Sequence, residues 1–281
     1  MSVIVSPNWV YKQVNEHPND TVIVDVRFHL TKPEQGRKEY LAGHIPDAFF
    51  LDLDLDLSGD LGEHGGRHPL PDVEKVTKAL GDIGIHSKST VIAYDDNEGM
   101  YASRFWWQLH YLGHENIHIL DGGYKNWLER GLEASTKLPE AVAVEYVPRV
   151  REEALVDVNG VKARIGNSNS VLVDSRDQAR YLGTEEPLDH KAGHIPTAVN
   201  YFWKNVIDDE GRWKSVEGLT ENYAGLDKTK EIIVYCGSGV SACPNVIGLK
   251  QAGFQNIKLY AGSWSDWISY PENEIATGEE S

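Results

Sequence analysis

Val22-Ile-Val-Asp-Val-Arg27 recurs as Val171-Leu-Val-Asp-Ser-Arg176. Around this pair, Ala42-Gly-His-Ile-Pro46 recurs as Ala192-Gly-His-Ile-Pro196. Val91-Ile-Ala-Tyr94 recurs as Ile232-Ile-Val-Tyr235, and Asn116-Ile-His-Ile-Leu120 as Asn256-Ile-Lys-Leu-Tyr260. A tryptophan follows each last segment, Trp127 and Trp267. The order is the same in both halves and the offset stays between 140 and 150 residues. Four segments in register mark an internal duplication, and 281 residues are enough for two ordinary domains. The expected domains are residues 1–137 and 154–281, with 138–153 as the linker, where two prolines and mixed charge interrupt the pattern.

TVIVDV, STVIAY and NIHIL are short apolar runs of the kind that form strands buried on both faces. Residues 102–112 and 242–252 have helical spacing of apolar side chains. The stretch before Val22 and residues 154–168 are expected to be matching entry helices. Alternating strands and helices predict an α/β fold, two tandem domains each with a mostly parallel sheet flanked by helices. In such sheets the functional loops lie at the carboxyl ends of strands.

Composition narrows the function. The formal net charge is −16, which opposes nucleic acid as the main partner. No apolar stretch is long enough to cross a membrane, and residues 1–10 lack a basic segment followed by an apolar run, so a cytoplasmic protein is expected. Two cysteines, Cys236 and Cys243, are too few for a disulfide framework or a cysteine-rich zinc site. They suit a reducing compartment in which a free thiol can be a nucleophile.

One loop carries the chemistry. Glu231-Ile-Ile-Val-Tyr235 runs into Cys236-Gly-Ser-Gly-Val-Ser241, and a helix is expected from about Ala242. Gly237 and Gly239 let the backbone curl with its N–H groups inward, and the helix N-terminus adds positive potential. Cysteines so placed commonly have pKa values of about 3.5–7.5. The same nest would hold the outer sulfur of a persulfide. The corresponding loop of the first half is Asp95-Asp-Asn-Glu-Gly-Met-Tyr101, so the first copy lacks the nucleophile. A buried structural cysteine is the plainer reading of Cys236, but it would not need the Gly-Ser-Gly turn.

Asp-x-Arg, Gly-His-Ile-Pro and a strand ending in a cysteine loop, all in tandem copies, resemble the two-domain rhodanese-type sulfurtransferases over nearly the whole chain. The resemblance implies five-stranded sheets, an inactive first domain and a catalytic second one. Cys236-Gly-Ser-Gly-Val-Ser-Ala-Cys243 has no basic residue and is most similar to the loop of 3-mercaptopyruvate sulfurtransferases, with Ser241 for the usual threonine and Pro244 where histidine is common. By that resemblance Cys236 attacks the sulfur of a small anionic donor, 3-mercaptopyruvate, and passes it to a thiol such as thioredoxin, or to cyanide. No metal or organic cofactor is implied. Ser238 would move a proton, with His44 as its relay partner and Glu34 as the nearest acid. Arg180 would grip the substrate carboxylate. A second family arginine falls at Asp189.

Plainer readings stand beside these. Ser238 would equally cap the following helix, and His44 would equally serve the fold, since His194 repeats it. Arg180 would equally form an exposed ion pair. Cys243 reads as a packed helix cysteine. Asp52 to Glu63 has acids at EF-hand-like spacing, but Leu57 stands where glycine is needed. A Cys-x5-Arg phosphatase is excluded because Ala242 occupies the arginine position. Thiosulfate as the natural donor and a non-catalytic interaction module are the remaining alternatives.

Overall fold

The computed structural model describes residues 2–279. They form two compact units. The first comprises 2–59, Pro71–Arg151 and Asp209–Trp213, and the second Asp60–Leu70, Glu152–Asp208 and 214–279. Each unit thus includes a short segment from the other half of the sequence. Among the described residues no helix is long and apolar enough to cross a membrane.

The first unit holds strands β1 (Ile4–Val5), β2 (Thr21–Asp25), β3 (Phe49–Phe50), β4 (Thr90–Tyr94) and β5 (Ile117–Leu120). They form a parallel sheet in the order β1-β5-β4-β2-β3. The second unit holds β6 (Ser170–Asp174), β7 (Val199–Asn200), β8 (Glu231–Tyr235) and β9 (Ile257–Leu259), parallel in the order β7-β6-β8-β9. The expectation of five strands therefore holds for the first sheet only. In the second, the place of β1 shrinks to one parallel bridge, Leu155 to Leu259. A 3-10 turn ends at Ala154 and Asp157 already caps the next helix, so only two residues remain extended. The entry helices are Pro7–Glu16 and Val158–Lys162, and those following β4 and β8 are Met100–Tyr111 and Cys243–Gln251.

The repeated motifs are parts of the scaffold. Asp25 and Asp174 end β2 and β6 and hold Arg27 and Arg176 through paired hydrogen bonds, down to 2.6 Å in each copy. The same guanidinium groups donate to the carbonyls of Gly43 and Gly193. All four charged side chains are at most 4% exposed. Removing one partner of such a pair leaves a buried charge and costs about 3–5 kcal/mol. Tyr94 and Tyr235 accept from the N–H of Ile45 and Ile195, tying the Gly-His-Ile-Pro turn to the central strand. Beneath each turn lies an apolar core, with Ile23, Ile92 and Trp127 in one unit and Leu172, Ile233 and Trp267 in the other.

Candidate active site

β8 ends at Tyr235, and Cys236 begins the turn into the helix Cys243–Gln251. The turn is anchored below by backbone bonds from Trp264 N–H to the Cys236 carbonyl and from Ser265 N–H to the Gly237 carbonyl. The Cys236 N–H donates to Ser263 Oγ at 3.1 Å. Within the turn the Gly239 N–H points at Cys236 Sγ, 3.2 Å away. Gly239 has φ +77°, and a Cβ there would lie 2.2 Å from the Ala261 carbonyl oxygen. Only glycine supplies both the left-handed backbone and that close approach. Val240 is buried and Ser241 half-buried at the end of the turn. Pro244 sits in the first helical turn, where no N–H is needed.

Ser238, two residues after Cys236 in the turn, is buried, and its hydroxyl is 2.7 Å from His68 Nδ1. The histidine expected at this serine was His44, and the geometry assigns the place to His68 instead. His44 is fully buried, with Nδ1 2.7 Å from the Tyr40 carbonyl and Nε2 3.1 Å from that of Lys137. Its ring stacks on Tyr40 as the His194 ring stacks on Tyr181. Both turns also carry a strained residue three positions on, Asp47 and Thr197, with φ 60° and 66°. A histidine so committed in both copies serves the turn. Glu34 is exposed at the start of the helix Glu34–Ala42.

His68 belongs to the segment Asp60–Leu70, which packs within the second unit. Gly65 N–H donates to Asp266 and Arg67 N–H to Ser265, while His64 stacks on Tyr270. A Cβ on Gly66 would lie 2.4 Å from the Gly262 carbonyl oxygen, so this glycine lets the strap lie flat. A signal for it exists in the sequence. Gly66-Arg67-His68 has a counterpart, Gly211-Arg212-Trp213, at an offset inside that of the other repeats. In the first unit Trp213 packs against Gly99 of the Asp95 loop, as His68 meets the Cys236 loop in the second.

Arg180 lies on the short helix Gln178–Leu182, and its guanidinium reaches the loop together with that of Arg67. A Cβ on Gly237 would meet Arg67 Nη2 at 2.7 Å and Arg180 Nη2 at 3.3 Å. Asp189 takes two bonds from Arg67 and one from Arg180, at 3.0–3.1 Å. Glu186 binds both Arg176 and Arg180. Burial raises the Glu186 carboxyl, but the Arg180 bond, the Leu188 N–H and the nearby guanidinium charges outweigh it and leave the group below the usual glutamate range. Arg67 was missed in the sequence because its partner, Asp189, lies 122 residues away.

Cys243 is buried in its helix, its thiol donating to the Gly239 carbonyl. Asp52 accepts from the N–H groups of Asp54 and Leu55, a turn of its own making. Among the described residues no cluster of three or more His, Cys, Asp or Glu could hold a metal.

The Asp95 loop is a filled version of the same nest. The Asp95 carboxylate accepts from the N–H groups of Asn97, Gly99, Tyr101 and Ala102 at 2.8–2.9 Å. Burial pushes this carboxyl up against the pull of those four donors. The neighbouring Asp96 is pushed up to about 6, chiefly by burial, against the Lys125 N–H and the Arg27 charge. Its folded value lies above the ordinary 3.8, so its contribution to stability is full below that pH and is lost as pH rises through about 6. Asp96→Asn keeps an acceptor for Lys125. It is expected to melt a few degrees (~2–4 °C) above the parent at pH 8, with the gap closing toward pH 4 in paired thermal melts.

The rhodanese-like domain family matches the chain twice, over residues 6–130 and 157–270. The chain is 37% identical to a probable 3-mercaptopyruvate sulfurtransferase of Pseudomonas aeruginosa, over 92% of this chain and 93% of that one. It is 35% identical to a putative thiosulfate sulfurtransferase of Mycobacterium tuberculosis, over 91% and 90%. The crystal structure of the Escherichia coli 3-mercaptopyruvate enzyme matches with a TM-score of 0.81 at 30% identity, covering 94% of this chain and all of that one. With two α/β copies of the motif set and one cysteine loop, the chain belongs to the rhodanese family as a tandem-domain sulfurtransferase.

Proposed function

We propose that the chain moves sulfur from 3-mercaptopyruvate to a thiol or cyanide acceptor through a persulfide on Cys236, releasing pyruvate. The observation that carries this reading is the Gly239 N–H held 3.2 Å from Cys236 Sγ, in a loop with no cationic side chain of its own. A backbone donor stabilises a thiolate, and equally the terminal sulfur of Cys–S–S⁻, without a charge that favours a dianionic donor.

The chemistry balances without a metal or organic cofactor. The Cys236 thiolate attacks the donor's sulfur, and a sulfur–sulfur bond forms as the carbon–sulfur bond breaks. The electron pair leaves on carbon as pyruvate enolate. The proton lost by the donor thiol equals the one the enolate carbon gains, and Ser238 with His68 is the pair placed to carry it. The acceptor thiolate, such as that of a thioredoxin, then attacks the outer sulfur and restores Cys236. This is covalent catalysis in two transfers. A cytoplasmic setting suits it, since the thiols must stay reduced. The net charge of −16 speaks against nucleic acid or an anionic membrane as a partner.

Thiosulfate is the competing donor, favoured by the name of the Mycobacterium tuberculosis relative. Steady-state kinetics with both donors decide between them. The expected kcat/KM for 3-mercaptopyruvate exceeds that for thiosulfate by about tenfold or more, the effect of placing the weaker-charged anion in a charge-compensated cleft. A preference for thiosulfate would overturn the donor while leaving the persulfide in place.

A further inference from the structure

We propose that Arg67 is a second substrate-gripping guanidinium beside Arg180, and that Asp189, clamped between them, makes the site select a monoanionic carboxylate over a dianion. The inference rests on the persulfide reading above and adds the residues that set its donor class.

Three observations lead to it. First, both guanidinium groups border Gly237, the residue after the nucleophile, closely enough that a Cβ there would touch each. A carboxylate separated by only two carbons from the sulfur under attack has to lie within reach of that border. Second, Asp189 is a clamp and little else. Its side chain is 4% exposed, and both oxygens are spent on Arg67 and Arg180. Glu186, by contrast, is also tied to Arg176 and to backbone N–H groups, so it belongs to the scaffold. Third, Arg67 is the more open of the pair, 29% exposed against 12% for Arg180. The Nη1 groups of both make no hydrogen bond to any described residue.

Two arginines and two carboxylates leave the border with no net charge. A monoanion is then held by geometry, through the fork of guanidinium N–H donors. A dianion gains no more from the fork and meets the Asp189 charge at close range. Asp189 also fixes both guanidinium planes, so each offers its remaining donors in one orientation.

The test compares the parent with Asp189→Asn, Asp189→Glu and Arg67→Gln, each checked for a parental circular-dichroism spectrum. Kinetics with 3-mercaptopyruvate and thiosulfate are joined by calorimetric titration with pyruvate, which probes the carboxylate grip without sulfur chemistry. Asp189→Asn is expected to raise the thiosulfate to 3-mercaptopyruvate ratio of kcat/KM by about tenfold, and Asp189→Glu to shift it much less. Arg67→Gln is expected to raise KM for 3-mercaptopyruvate and Kd for pyruvate by about tenfold, with kcat changed little. An unmoved ratio in Asp189→Asn, or parental pyruvate affinity in Arg67→Gln, overturns the inference and leaves the persulfide reading intact. If the parent fails to use 3-mercaptopyruvate, the donor reading falls, and the pyruvate titrations still decide the guanidinium pair.

Discussion

Gly239→Ala is expected to lower the rate of persulfide formation by about 10²–10³-fold or more, the loss seen when one preorganised backbone donor is removed from a reacting centre. The effect is steric. At φ +77° an L-residue costs about 1–2 kcal/mol, and the new Cβ would sit 2.2 Å from the Ala261 carbonyl oxygen. Backbone lies on both sides of that contact, so the turn must shift, and the N–H now 3.2 Å from Cys236 Sγ moves with it. Gly237→Ala is the control. The nearest atoms to its Cβ are the guanidinium ends of Arg67 and Arg180, so it should weaken donor binding and leave the rate at saturating donor near the parent value. Stopped-flow measurement of pyruvate release in one turnover separates the two variants.

His68→Ala is expected to lower kcat by about 10²–10⁴-fold, the usual range for a positioned acid–base group. Ser238→Ala should fall in the same direction. The double variant should be little worse than the worse single one, because two groups acting through one 2.7 Å contact do not add. His44 gives the opposite pattern. Both its ring nitrogens are spent on backbone carbonyls, so His44→Ala should lower the melting temperature and leave kcat of the folded protein near the parent value. Parallel melts and turnover assays of the three single variants check this directly.

The duplication was legible because buried parallel strands and their turns need the same residues twice. Asp25 and Asp174, Arg27 and Arg176, and Tyr94 and Tyr235 make the same bonds in both units. The cysteine loop was legible for the same reason, since strand, glycines and helix are contiguous. What the sequence hid was long-range. His68 meets Ser238 across 170 positions and Arg67 meets Asp189 across 122. The repeated Gly-Arg at 66–67 and 211–212 marks the strap, but no repeat reports which distant side chains it meets. The repeated Gly-His-Ile-Pro drew attention to His44 because repetition marks importance, yet there it marks a turn. The fifth strand of the second sheet failed for a local reason, only two residues separating a 3-10 turn from the Asp157 cap.

The most direct measurement is the mass of the cysteine-bearing peptides after brief exposure to 3-mercaptopyruvate and removal of excess donor. A gain of about 32 Da, one sulfur atom, is expected on the peptide with Cys236, lost on treatment with cyanide and absent in Cys236→Ser. Sulfur carried on Cys243, or an unmodified Cys236 under conditions that release pyruvate, would contradict it.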